Sequence, residues 1–227
     1  MSGSRERFTE VVTRALDEIK LDLGHQDVGA VLVSIGASYD ASAEGRTHQA
    51  PGDVALLSTL PDWTVHVPGH PDEVERLLED SLAGSGRVYL RLSDEANDAP
   101  HERPFSIVRR GSPGCPLVVA VGPTLGEVLS ATQDLDVSVA YAMTPRPFDA
   151  EGLRDALTGT DVVLVEPYLA GTSAANVAEA LRDRPTRLLA LGVRDVELRR
   201  YGSPAEHRAA QGLDARGLRA SITEFID

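Results

Sequence analysis

The chain has 227 residues, 42% of them hydrophobic, which is room for one or two domains around a sizeable core. Its 22 basic residues against 35 acidic ones leave a formal charge of -13 with no Lys/Arg cluster, which argues against nucleic acid or an anionic membrane as partner. Cys115 is the single cysteine, so neither an intrachain disulfide framework nor a cysteine zinc site can form, no apolar run reaches bilayer length, and the expected compartment is the cytoplasm.

Phe8, Val11, Val12, Ala15, Leu16, Ile19 and Leu23 recur at three- and four-residue steps, which predicts a helix over 5–22. Ala30-Val31-Leu32-Val33-Ser34-Ile35 reads as a buried strand, with further strands at 64–67 and 88–92 and helices near 52–60 and 72–83 between them. Pro71 followed by Asp72 and Glu73 suits the first turn of the second of these helices, where a missing N–H costs nothing and acidic groups face the positive end of the dipole. Residues 93–104 turn polar and proline-bearing, the composition of a long connection. Beyond them strands are predicted at 105–109, 117–121, 137–141, 162–166 and 187–191, alternating with helices near 124–134, 149–157 and 172–182, and a last helix over 214–226. The expected fold class is α/β, with two mostly parallel α/β domains.

General catalytic signatures are absent: no Gly-x-Gly-x-x-Gly follows the first strand of either half, and there is no Walker loop, no Gly-x-Ser-x-Gly elbow and no metal-ligand cluster. His25, His66, His70, His101 and His207 are scattered among turns, a strand and the connection, where a lone histidine is a surface or core residue more often than a catalyst. The loop from Gly36 to Ala50 stands apart, being long, rich in small residues and placed at the carboxyl end of the first strand, where open α/β sheets bind ligands. In it His48, between Thr47 and Gln49, has the donors and acceptors to meet a polyol, and Glu44 could accept from a hydroxyl. On chemistry alone a capped loop with solvated polar tips is the better reading.

Arg14-Ala15-Leu16-Asp17-Glu18-Ile19-Lys20 resembles the Arg-Ala-x-Glu-Gln-Ile-Arg helix of transketolase pyrimidine-binding domains, and it precedes Thr47-His48-Gln49 at that family's spacing. Ala55-Leu56-Leu57-Ser58-Thr59-Leu60-Pro61-Asp62-Trp63-Thr64-Val65 and Val88-Tyr89-Leu90-Arg91-Leu92-Ser93 are similar to the stretches that follow. Val119-Ala120-Val121-Gly122-Pro123-Thr124 and Arg146-Pro147-Phe148-Asp149 resemble landmarks of the family's C-terminal domain. The resemblance implies a partial, incomplete pyrimidine-binding (transketolase central) domain over 1–98 and a transketolase C-terminal domain over 99–227.

It also implies thiamine diphosphate and Mg2+ as cofactors, held mainly by a partner chain that carries the diphosphate-binding domain and the missing strands of the pyrimidine domain. The glutamate that activates the cofactor's pyrimidine in relatives lies upstream of the first helix. Phe8 is one position out of register with the stacking aromatic, so cofactor-binding residues in this chain stay unknown. His48 matches the histidine that contacts the transferred two-carbon unit and is the expected catalytic residue, with Glu44, Arg46, Thr47, His48 and Gln49 binding substrate. Gly36 and Asp94 stand where relatives carry a phosphate-contacting histidine and arginine, which makes ordinary sugar phosphates doubtful substrates. Arg46 replaces a proline and is a candidate for a displaced positive charge, with an exposed loop arginine as the alternative reading.

The implied function is that of the C-terminal component of a multi-chain ketol transferase, inactive without its partner; the alternative is a non-catalytic or regulatory paralogue serving assembly. An apolar face on the first helix, including some of Phe8, Val11, Val12 and Ile19, is expected to need cover, and hence a homo- or hetero-oligomer.

Overall fold

A computed structural model of the chain describes Val12, residues 14–197 and residues 199–227. Of the helix predicted over 5–22, residues 5–11 and Thr13, with them Phe8 and Val11, fall outside the described residues. The described part is a single α-helical turn, α1 (Leu16–Glu18), running into a wider π-helical stretch at Ile19–His25. Val12 and Ile19, expected to need cover, are already buried, in a cluster with Val65 and Tyr89. Near this first helix and strand, Leu21, Val28 and Ile35 are exposed instead.

Strands β1 (Ala30–Ser34), β2 (Trp63–His66) and β3 (Arg87–Arg91) make a parallel sheet in the order β1-β3-β2, crossed by α2 (Asp53–Ser58) and α3 (Pro71–Ala83). The central strand β3 is buried along its whole length, as its apolar run Val88-Tyr89-Leu90 requires. β1 forms one edge of this sheet, and Ala30 to Val33 are only half-buried. A hollow of about 360 Å³ lies against it, lined by Val12, Ala15, Ile19, Val31, Leu32 and Tyr89 among others.

The second sheet contains β4 (Phe105–Arg109), β5 (Leu117–Val121), β6 (Ser138–Ala142), β7 (Asp161–Leu169) and β8 (Arg187–Val193) in the order β4-β6-β5-β7-β8. All neighbours are parallel except β4, which runs antiparallel to β6. Around them pack α4 (Leu125–Ala131), α5 (Ala150–Ala156), α6 (Ala174–Ala180), α7 (Pro204–Gln211) and α8 (Ala215–Ile226). β7 runs past the predicted end at 166 because a register shift after Val165 lets Leu169 pair with Val193.

Among the described α-helices and strands, α7 alone has no predicted counterpart, although its signal is present in the sequence. Ser203 and Glu206 form a reciprocal capping box around Pro204, and Gly212 closes the helix in the left-handed region at φ 73°.

The halves share a core that runs from Trp63, Val65 and Tyr89 to Val119, Val121 and Leu164. Polar ties reinforce it. Val65 and Val67 donate their backbone N–H groups to Arg146 and Met143 carbonyls, each at 2.7 Å, and the Arg146 guanidinium bonds the Leu57 and Leu60 carbonyls at 2.8 and 2.7 Å. Glu73, expected only to face its helix dipole, is fully buried and reaches across: it accepts from Gly69 N and His101 N at 2.8 Å and from Tyr141 Oη at 2.6 Å. No described helix is long and apolar enough to cross a membrane.

Candidate functional site: the loop after the first strand

The chain leaves β1 through Gly36 and Ser38, both in the left-handed region at φ 79° and 49°, and the loop closes on itself where Ser38 and Ala50 form an antiparallel bridge. Between these feet lie two tight turns, Ser42–Glu44 and Arg46–His48, joined by Gly45 at φ 94°. Only glycine suits that joint. The backbone is left-handed, and a Cβ there would stand 2.8 Å from the Tyr201 ring.

This geometry sorts the five expected site residues into two groups. Glu44, Thr47 and His48 come together on the open side: His48 Nε2 is 3.4 Å from Glu44 Oε2, and its Nδ1 is 3.1 Å from Thr47 Oγ1. Glu44 and His48 remain partly exposed, at 46% and 28% of their side chains, so a ligand can reach both. Arg46 and Gln49 turn the other way. Arg46 Nε donates to the Glu197 carboxylate at 3.0 and 3.1 Å and its Nη1 to the Gln49 carbonyl at 2.8 Å, while Gln49 is buried and donates to the Arg200 carbonyl at 3.2 Å. The displaced positive charge expected of Arg46 is therefore engaged by a carboxylate. Nearby, the Asp94 backbone N–H donates to Asp40 at 2.9 Å, and burial pushes the Asp40 carboxyl above its usual range.

The feet of the loop rest on a buried network that the sequence reading passed over. Asp53, at the start of α2, accepts on one oxygen from Arg91 Nε at 2.8 Å and Tyr89 Oη at 2.6 Å, and on the other from Val54 N at 2.9 Å. Arg91 Nη2 donates to Ser38 Oγ at 2.7 Å, and Ser38 Oγ in turn donates to the Pro167 carbonyl on β7. Tyr89 Oη accepts from Ser34 Oγ at 2.7 Å, and the Arg91 guanidinium stands 5.6 Å from the Tyr168 ring centroid. Burial opposes the charge on Arg91, yet Asp53 beside it and then Tyr89 hold its pKa above the usual value. Burial, with Asp53 adding to it, drives the Tyr89 hydroxyl well above the ordinary tyrosine range. A charged residue ending an apolar strand was the available cue, because arginine enters a core only with a partner.

Three of the other histidines make structural contacts. His70 caps α3 by accepting from Asp72 N at 3.2 Å, His66 Nδ1 lies 2.9 Å from Thr144 Oγ1, and His101 packs on the Tyr141 ring at 4.5 Å. His207 is fully buried and neither of its ring nitrogens has a hydrogen-bond partner.

The donor set does not fit the metal end of the cofactor that the resemblance implies. Among the described residues no group of three or more His, Cys, Asp or Glu side chains could hold a metal ion. The buried carboxylates Asp53 and Glu73 are taken up by the donors given above. Glu166 accepts from Gly171 N at 2.7 Å and Ser173 N at 2.9 Å, and burial raises its pKa to about 7.

Comparison with known proteins places this geometry among relatives. The family described as "Transketolase, pyrimidine binding domain" matches residues 6–98. An uncharacterized 33.6 kDa protein of the fasciation locus of Rhodococcoides fascians is 53% identical over 223 residues, which is 95% of this chain and 71% of that protein. The 1-deoxy-D-xylulose-5-phosphate synthase of Acidovorax sp. (strain JS42) is 31% identical over 231 residues, 96% of this chain but 36% of the synthase. Among solved structures, a split gene transketolase in the form of an inactive beta4 tetramer superposes with a TM-score of 0.79 at 22% identity, covering 97% of this chain and 74% of that one. Transketolase from Leishmania mexicana gives a TM-score of 0.72 at 19% identity over 96% of this chain and 33% of its own. The chain thus spans about a third of the length of the synthase and of the Leishmania enzyme.

Proposed function

Because this chain belongs to the transketolase family, as a protein bearing that family's pyrimidine-binding domain, we propose that it is one component of a multi-chain thiamine-diphosphate enzyme that transfers a two-carbon ketol unit. The observation that carries the proposal is the open cluster of Glu44, Thr47 and His48, held at the carboxyl end of β1 by a loop whose feet are fixed in the core. In this reading His48 and Glu44 orient the hydroxyls of the donor, and Gln49 keeps the loop shut by its bond to Arg200. Thiamine diphosphate would supply the electron sink, while the protein contributes positioning and electrostatics.

The cofactor and its Mg2+ are assigned to a partner chain carrying the diphosphate-binding domain, since the described residues offer no metal-ligand set. The half-buried edge strand β1 and the apolar hollow beside it support a partner or a further segment packing there. Division of the chain at 98/99 into a pyrimidine-binding and a C-terminal domain belongs to the same proposal, as does a cytoplasmic setting. The substrates are proposed to be unphosphorylated, unlike the product named for the synthases. On the family resemblance, Gly36 and Asp94 take the places of a phosphate-contacting histidine and arginine, and Arg46 is bound to Glu197.

Calorimetric titration of thiamine diphosphate and Mg2+ into the protein alone, and into its complex with a diphosphate-binding chain, tests the assignment. Binding and ketol transfer are expected only in the complex, and micromolar affinity of the lone chain would contradict it.

A further inference from the structure

The middle of the site loop is held by a different part of the molecule from its feet. Ser42 is wholly buried and its Oγ donates to the Gly202 carbonyl at 2.6 Å. Arg46 and Gln49 reach Glu197 and the Arg200 carbonyl, and the Gly45 joint lies under the Tyr201 ring. Tyr39 is stacked face to face on His207, with centroids 4.2 Å apart and planes 14° from parallel, and its hydroxyl accepts from Gln211 Nε2 at 3.1 Å. All of these partners lie between the end of β8 and the end of α7, within residues 195–211. The side chains of Glu44, Thr47 and His48 lie between the ties at Ser42 and Gln49.

We propose that residues 195–197 and 199–211 are the positioning element of the site loop, and that His207 serves in it as a flat aromatic plate rather than as an acid, a base or a hydrogen-bonding group. The use made of the loop rests on the function proposed above; the clamp itself does not. The assignment of His207 follows from its surroundings. It is fully buried, yet neither Nδ1 nor Nε2 meets a partner, so the nitrogens give nothing to the fold while their desolvation opposes it. What the residue does contribute is a face against Tyr39, the aromatic that anchors the start of the loop. Burial, with the Arg200 charge adding to it and Glu206 opposing, lowers the imidazole's pKa below the ordinary histidine value and so favours the neutral form, which stacks without carrying a charge inside. Glu197, Arg200, Tyr201 and Gln211 are then positioning residues for Glu44, Thr47 and His48. This is how the second half of the chain, which offers none of the expected site residues, comes to shape the site.

Hydrogen exchange read by mass spectrometry on the purified chain tests this without requiring activity. His207→Ala should accelerate exchange of the amides in 40–50 by at least about tenfold while β5, β6 and β7 keep their protection, and His207→Phe should restore the wild-type rate. A loop as protected in His207→Ala as in wild type would overturn the clamp, and a His207→Phe loop as fast as that of His207→Ala would overturn the aromatic-plate role. Should His207→Ala fail to fold, Ser42→Ala removes a single tie and leaves the ring pair in place; it too should speed loop exchange, and an unchanged rate there would count against the proposal. In the assembled complex the loosened loop should lower kcat/KM for ketol transfer, with His207→Phe again rescuing it. Loop loosening as predicted in a complex that shows no ketol transfer even with the wild-type chain would overturn the functional reading and leave the positioning element standing.

Discussion

Arg91→Met is the most informative single perturbation of the scaffold, because it removes the charge at the centre of the buried network while keeping an unbranched apolar stem that reaches as far as the arginine Nε. Arg91 and Asp53 are 1% and 0% exposed, so neither can turn to water when the other is lost. With Arg91 gone, Asp53 keeps the Tyr89 hydroxyl and the Val54 N–H but holds an uncompensated buried charge; Ser38 Oγ loses its donor, and the Tyr168 ring loses its cation. Breaking one side of such a pair costs about 3–5 kcal/mol, a large share of the ~5–15 kcal/mol that holds a folded protein together. Asp53→Asn should be costly for the mirror-image reason. The double variant Asp53→Asn/Arg91→Met leaves no buried charge, so it should be less destabilised than the sum of the singles by roughly 2 kcal/mol.

Trp63, the only tryptophan and buried on β2 of the same sheet, gives a fluorescence signal for urea unfolding. A loss of under about 1 kcal/mol in Arg91→Met, or strict additivity in the double variant, would refute the view that this pair anchors the feet of the loop.

Two further outcomes follow from the charges. Burial raises the pKa of Glu166 to about 7, so its contribution to stability is fully present below the ordinary glutamate range and is lost as pH rises through about 7. Glu166→Gln removes that decline: chemical denaturation at several pH values should show the difference between variant and wild type moving in the variant's favour by up to ~3 kcal/mol from pH about 5 to about 8. A difference that does not change with pH would show that the carboxyl titrates normally. In the assembled enzyme, kcat/KM for a phosphorylated acceptor should not exceed that for its unphosphorylated analogue, because Asp94 and Asp40 lie by the loop and Arg46 is bound to Glu197. A strong preference for the phosphorylated member would mean that Arg46 leaves Glu197 for substrate.

The strands were legible in the sequence because most are short, largely apolar runs rich in Val, Leu, Ala and Tyr, the mark of parallel strands buried on both faces. The direction of β4 was not, since Phe105-Ser106-Ile107-Val108-Arg109 reads the same whether it pairs parallel or antiparallel to β6. The location and the tight turns of the loop carrying Glu44, Thr47 and His48 follow from its small residues and glycines. Its anchoring does not. Asp53 and Arg91 are 38 residues apart, and Ser42 meets Gly202 across 160, separations at which no local pattern announces a contact. The helix α7, by contrast, was written plainly in Ser203-Pro204-Ala205-Glu206 and Gly212 and could have been read.

The central claim is that this chain supplies the substrate-contacting loop of a ketol transferase assembled with another chain. Its most direct test is the rate of two-carbon transfer by the complex of this chain with a diphosphate-binding partner, loaded with thiamine diphosphate and Mg2+, for wild type and His48→Ala. Transfer by the wild-type complex is expected, with a loss of about 100-fold or more in kcat/KM for His48→Ala and assembly unchanged. A complex that forms but transfers nothing, or one that works equally well with His48→Ala, would contradict the claim.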